Sequence, residues 1–292
     1  MVNVGADIIV YAGQSNSVGR GIGPFCDSDA SHDGRCFQVA RAPGIDKTII
    51  PMSAPLQAWG YDEAQHGHGV TFARLYAASL LQPGRSVIIV PAACGATSIL
   101  QWLGLAEGNG YPLYGDMATR IRTALAAGGL LSRIVAWVEH QGESDIAIAR
   151  DPSDPCHRLM PDALAYRARK LDLIDRVRSD FGMFPMLFGT YSDAWLPGDA
   201  IKLSFTDALI DACDARLFCV PVSASGVEAN SQVETGQNPV HFSAVGQEEL
   251  ARRHFAAYCQ MLGLTGIKQY PSVAQARIET IAALILNWAT AS

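Results

Sequence analysis

Five short apolar runs punctuate the chain, at about residues 7–12, 86–91, 133–139, 184–190 and 216–222. Each is bounded by polar, Gly or Pro residues and is too short for a helix, so each is predicted as a buried strand. Between and after them, apolar residues recur every three or four positions. That spacing predicts helices over about 70–82, 113–127, 159–181, 200–214 and 243–262. Strands alternating with helices predict an α/β fold, a central and mostly parallel five-stranded sheet covered by helices on both faces. Right-handed crossovers and a switch point after the first strand put ligands at the carboxyl ends of the strands.

Two stretches escape this alternation. From about 19 to 69 the chain is rich in Gly, Pro, Asp and Ser, with apolar islands at Ile49–Met52 and Leu56–Trp59. A stretch this long is expected to be a functional loop or a small sheet of its own, and we read it as a loop shaping one wall of a cleft. The tail carries Val273, Ala276, Ile278, Ile281, Leu284, Ile285 and Trp288 at helical spacing. The expected organisation is therefore one domain over 1–264 and a helical extension over 265–292. The extension would pack on the core or join two copies of the chain.

The chemistry sits where apolar runs end. Ile8-Ile9-Val10-Tyr11 leads into Ala12-Gly13-Gln14-Ser15-Asn16. A serine just past a strand, beside a glycine, can turn its hydroxyl into a cleft, with backbone N–H groups facing the oxygen of a bound ester. The same residues would also serve as a polar turn with an N-capping serine. Val87–Val90 leads into Pro91-Ala92-Ala93-Cys94-Gly95-Ala96-Thr97-Ser98, where Gly95 lets a backbone N–H approach a ligand closely. Ile134-Val135-Ala136 leads into Trp137-Val138-Glu139-His140-Gln141-Gly142-Glu143-Ser144-Asp145, a strand ending in a dense polar cluster. Late in the chain, Asn238-Pro239-Val240-His241-Phe242-Ser243 puts a histidine in a loop just before a helix. A lone histidine is commonly a hydrogen-bonded packing residue. Four such segments in this order point instead to a nucleophile, its base and the groups around them.

These residues resemble the SGNH hydrolase superfamily, and within it the branch of sialate O-acetylesterases and family 6 acetylxylan esterases. The resemblance rests on Gly-Gln-Ser-Asn, on Gly-x-Thr-Ser-Ile followed by Trp102, on Gln-Gly-Glu-Ser-Asp and on the late His241. Gly69-Val70-Thr71-Phe72-Ala73-Arg74 adds to it, and it covers about residues 7–262. It implies a flavodoxin-like α/β/α sandwich and a serine esterase that removes a short acyl group, acetyl above all, from carbohydrate hydroxyls through an acyl-enzyme. It also implies that Ser15 is the nucleophile and His241 the base, with the backbone N–H groups of Ser15 and Gly95 and the side chain of Gln141 forming an oxyanion hole. No cofactor is implied.

The acid of the triad departs from the pattern. Most of the superfamily has aspartate three residues before the histidine, and this chain has Asn238. Two readings stand. Glu143 supplies the acid, the role given to the glutamate of this segment in the family 6 branch, or a Ser–His dyad works with help from Asn238. Asn16 and Asp145 are expected to support the site, Asp145 by holding its loop. Trp59, Trp102, Tyr111 and Trp195 are candidates to stack on sugar rings. Two other outcomes stay open: a glycan-binding protein that has lost turnover, and an acyltransferase or thioesterase sharing the same first step.

Composition narrows the partners. The formal charge is −6 with no basic stripe, so nucleic acid is not expected. No apolar run approaches the ~18 residues that would span a membrane. No leader pattern precedes the first strand, so the chain is expected to be cytoplasmic, or secreted with its signal removed. Seven cysteines leave at least one unpaired, and a Cys26–Cys36 bridge is open. Without Cys-x-x-Cys or His-Glu-x-x-His a zinc site is not expected. His66 and His68 read as part of a solvated, glycine-rich loop.

Overall fold

In the computed structural model, residues 5–23, 33–60, 65–106 and 112–264 are described. Among them runs one sheet of seven strands: β1 (Gly5–Gly13), β2 (Cys36–Val39), β3 (Ile49–Pro51), β4 (Arg85–Pro91), β5 (Arg133–His140), β6 (Met186–Gly189) and β7 (Cys219–Val222). Their spatial order is β3-β2-β4-β1-β5-β6-β7. β1, β4, β5, β6 and β7 are the five predicted strands, all parallel, in the order of a flavodoxin-like sheet.

The helices are α1 (Ser15–Val18), α2 (His68–Ser79), α3 (Ile99–Leu103), α4 (Leu113–Gly128), α5 (Glu143–Arg150), α6 (Ala163–Phe181), α7 (Ala200–Asp214), α8 (Asn230–Val233) and α9 (Ala244–Met261). Side chains alternate along a strand, so each strand feeds two cores. On β1, Ile9 and Tyr11 join Phe72 and Tyr76 of α2 and Phe255 and Tyr258 of α9. Ile8 and Val10 join the other core with Ile121 of α4, Ile174 of α6 and Leu209 of α7. Burial on both faces is why the strands read as unbroken apolar runs.

The sheet has two strands more than predicted. Both come from the 19–69 segment. β2 pairs with β4 in parallel, and β3 closes the edge antiparallel to β2. Strands of four and three residues are too short to print a period on a Gly- and Pro-rich sequence. The same segment also reaches the sheet's carboxyl end, where Trp59 N–H donates to Ala93 O at 3.0 Å.

His68 is not in a solvated loop. It opens α2, fully buried, with Nδ1 2.8 Å from Gln247 Oε1 and its ring stacked on His254. The helix expected from 159 begins at Ala163, because Asp162 caps it by accepting from Ala165 N–H, and a 3-10 turn occupies His157–Leu159. Cys36 is a free buried thiol. Cys26, Tyr111 and the 265–292 extension, with the copy-to-copy contact expected of it, lie outside the described residues.

Candidate active site

Three strand ends are laced together by their backbones. Gln14 N–H donates to His140 O at 3.0 Å, and Cys94 N–H donates to Gly13 O at 3.0 Å. The turns after β1, β4 and β5 therefore converge at the switch point. Two glycines make this approach sterically possible. Gly13 has φ +112°, and a Cβ there would collide with His140 O. Gly142 has φ +135°, and a Cβ there would collide with the Tyr191 hydroxyl.

Ser15 opens α1 immediately past β1. His241 comes from the other end of the chain. Asn230 N–H holds its carbonyl at 2.8 Å, and the adjoining Phe242 is buried with Ala224, Val227 and Leu250. Ser243 caps α9 by accepting from Gly246 N–H at 3.0 Å. These anchors bring His241 Nε2 to 3.0 Å from Ser15 Oγ. Burial lowers the His241 pKa below the ordinary histidine value. The Glu143 charge opposes this, and Arg20 and His140 add to it.

The pair lies in a cleft of roughly 500 Å³, whose walls include Arg20, Trp59, Cys94, Gly95 and Val240. Its size falls within the ~300–1,000 Å³ of small-molecule sites. Ser15 N–H and Gly95 N–H, both on the cleft, have no acceptor among the described residues. They are free to meet a charged oxygen.

Three expected partners are placed differently. Gln141 is buried beneath the cleft, and its amide donates to Thr97 O at 3.1 Å and Asp145 Oδ2 at 2.9 Å. With both bonds made inside the fold, it has no donor left for an oxyanion. Glu143 accepts from Gln14 Nε2 and from Asn16 Nδ2 at 3.0 Å, and His140 Nε2 lies 3.2 Å away. No hydrogen bond joins it to His241. Burial raises its pKa, but His140, its own backbone N–H and Asn16 outweigh that and leave it below the ordinary glutamate value. Asn238 turns its side-chain oxygen back onto Val240 N–H at 3.0 Å. Nδ1 of His241 therefore has no partner among the described residues.

Asp145 holds the Gly95 loop. Its Oδ1 accepts from Ile99 N–H at 2.9 Å, and burial pushes its pKa up to about 7. Trp102 is part of α3 and fully packed, its Nε1–H donating to Thr97 Oγ1, so it offers no face to a sugar. Trp195 packs edge-on against Tyr191 under the Lys202 ammonium. Trp59 does line the cleft, with the Arg41 guanidinium 4.0 Å from its ring centre.

Sequence reasoning missed Lys170. It lies fully buried on α6, with Nζ on Glu139 Oε1 and 3.5 Å from Gln141 Oε1. A signal was present: Lys170 interrupts the buried stripe Tyr166, Leu173, Ile174, Val177, and a lysine on an apolar face requires a partner. Arg20 and the side chains of Gln14 and Ser144 were also missed. Gln14 and Ser144 lie inside the quoted motifs, but what their side chains hold is visible only in the fold, and nothing local marks Arg20. Among the described residues no group of His, Cys, Asp or Glu is arranged to hold a metal ion.

A family described as "Carbohydrate esterase, sialic acid-specific acetylesterase" matches residues 5–260. Among curated proteins no sequence matched. Among solved structures, NanS superposes with a TM-score of 0.69 at 17% identity, covering 90% of this chain and 99% of its own. A protein from Arabidopsis thaliana gives 0.65 at 22%, covering 87% and 98%. A catalytic mutant of Axe2, an acetylxylan esterase from Geobacillus stearothermophilus, gives 0.50 at 12%, covering 92% and 100%. At these identities the structural likeness establishes the fold.

Proposed function

The chain belongs to the sialic acid-specific acetylesterase family of carbohydrate esterases, and on that premise we propose that it removes acetyl groups from carbohydrate hydroxyls through an acyl-enzyme on Ser15. The observation that carries the proposal is the 3.0 Å contact between Ser15 Oγ and His241 Nε2 inside the cleft.

Ser15 Oγ attacks the ester carbonyl as His241 Nε2 takes its proton. The carbonyl oxygen gains the negative charge and is met by the N–H groups of Ser15 and Gly95. One such donor is worth on the order of a hundredfold in rate. The tetrahedral intermediate collapses, and the sugar oxygen leaves with the proton from His241. Water then gives a proton to His241 and attacks the acyl-enzyme. Collapse releases acetic acid, which ionises in solution, and the proton on His241 returns to Ser15. Burial, by lowering the His241 pKa, favours the neutral form that a base needs. Small residues near Ser15, among them Cys94, Gly95 and Ala96, suit a short acyl group. The wider wall with Trp59 and Arg20 offers an aromatic face and a cation to the sugar.

A fluorophosphonate reacts only with an activated serine. Peptide mass spectrometry after treatment is expected to find the adduct on Ser15, and to find none in a His241→Ala variant. A folded wild-type protein that takes no label at Ser15 would overturn the proposal. Acetate release from acetylated sugars then identifies the substrate.

A further inference from the structure

Among the described residues no carboxylate is bonded to the far nitrogen of the imidazole, where one ordinarily holds it. Glu143 is bonded elsewhere and Asn238 is turned onto its own loop. Another group must set the approach of His241 to Ser15. We propose that Asn16 is that positioning residue and that Glu143 acts through it.

Asn16 follows the nucleophile directly, and its side chain is fully buried. Its Nδ2 donates to Val240 O at 3.0 Å, and its Oδ1 accepts from Phe242 N–H at 3.2 Å. Both backbone neighbours of His241 are thus held by one amide, across 224 and 226 positions of sequence. The same Nδ2 donates to Glu143 Oε1 at 3.0 Å, while the other oxygen of Glu143 accepts from Gln14 Nε2. Both neighbours of Ser15 are therefore held by one carboxylate. The clamp fixes the nucleophile turn and the histidine loop to each other without touching the ring. The position requires asparagine. Aspartate has no N–H for Val240 O and would set a second carboxylate against Glu143, which like-charge repulsion disfavours.

This inference rests on the Ser15–His241 reading, and a double-mutant cycle separates the two. Hydrolysis of 4-nitrophenyl acetate is measured for the full chain and for Asn16→Ala, His241→Ala and the double variant, with thermal melts to verify folding. Asn16→Ala is expected to lower kcat about a hundredfold, the scale of a 1 Å misplacement, with KM within about threefold. If Asn16 acts only through the histidine, adding Asn16→Ala to His241→Ala costs nothing further. A loss of equal size in both backgrounds, or no loss in either, overturns the clamp while leaving the Ser–His reading intact. Undiminished activity in His241→Ala overturns that reading and the clamp with it. If Asn16→Ala does not fold, Asn16→Asp carries the same cycle. It keeps the acceptor for Phe242 N–H and loses both donor arms, so the same loss is expected, and a wild-type kcat would overturn the clamp.

Discussion

At the scale of single residues, electrostatics sets how the proposed base should behave. His241 sits below the ordinary histidine pKa through burial, and the Glu143 charge draws it back up. A general base works when neutral, so kcat/KM should rise with pH through the free-enzyme pKa of His241. The inflection is expected below 6.5. In Glu143→Gln the upward pull is gone, and the inflection should move lower still. A pH–rate profile of both proteins checks this, and an unmoved limb would show that the carboxylate charge is not felt at the imidazole. Gln141 illustrates the opposite lesson. Its residue type suits an oxyanion donor, but its amide is already bonded to Thr97 O and Asp145. A side chain's chemistry is available only where its hydrogen bonds are not already made.

At the scale of elements, the site depends on how helices are pinned to strand ends. Lys170 of α6 meets Glu139 near the end of β5, and Glu139 also accepts from Trp137 Nε1–H at 2.8 Å. Tyr166, one turn earlier on α6, donates to Gln141 O at 3.2 Å. Through Gln141 and Asp145 the same helix is coupled to the loop that presents Gly95. Removing one partner of a buried ion pair strands the other charge and typically costs about 3–5 kcal/mol. Lys170→Met should lose about that much in urea unfolding, and Glu139→Gln added to it should recover most of the loss, because the stranded charge is then gone. A cost below about 1 kcal/mol for Lys170→Met would mean that the pair does not hold the element.

At the scale of the whole molecule, acid should loosen the α2–α9 side of the sandwich. His68 and His254 are fully buried and stacked with ring centres 5.0 Å apart. Burial pushes the His254 pKa down to about 3 and that of His68 well below the usual value. Both stay neutral when folded but take up protons near pH 6.5 once unfolded. Between those values the unfolded chain binds more protons, so their contribution is complete above about 6.5 and is lost as pH falls toward 3. Asp7 adds to this only at the acid end. Burial raises its pKa, but Arg133, Arg85 and Tyr76 outweigh that, so its stabilisation is present above about 3.8 and lost below. Asp145, its pKa raised to about 7, works the other way between about 7 and 3.8. It is one group against two histidines, so the Tm should still fall from pH 6.5 to 4. His254→Phe should give a shallower slope whatever its Tm at neutral pH. An equally steep slope would remove His254 as a cause.

The sequence by itself determined the alternation of five buried strands with helices, because burial on both faces leaves apolar runs that need no partner to be read. It also marked the four segments that meet at the cleft, since polar residues crowd where those runs stop or a helix begins. Tertiary structure alone decided the rest. β2 and β3 are strands because the edge of β4 is there to receive them, not because short Gly- and Pro-flanked segments prefer it. Whether Glu143 meets His241 depended on hydrogen-bond competition from residues more than a hundred positions away, and whether Asn238 does depended on its own loop. There Gln14 and Asn16 hold the glutamate, and Val240 N–H holds the asparagine. Residue type and spacing name the groups a site contains. Which of those groups remain free to react depends on the partners that folding brings to them.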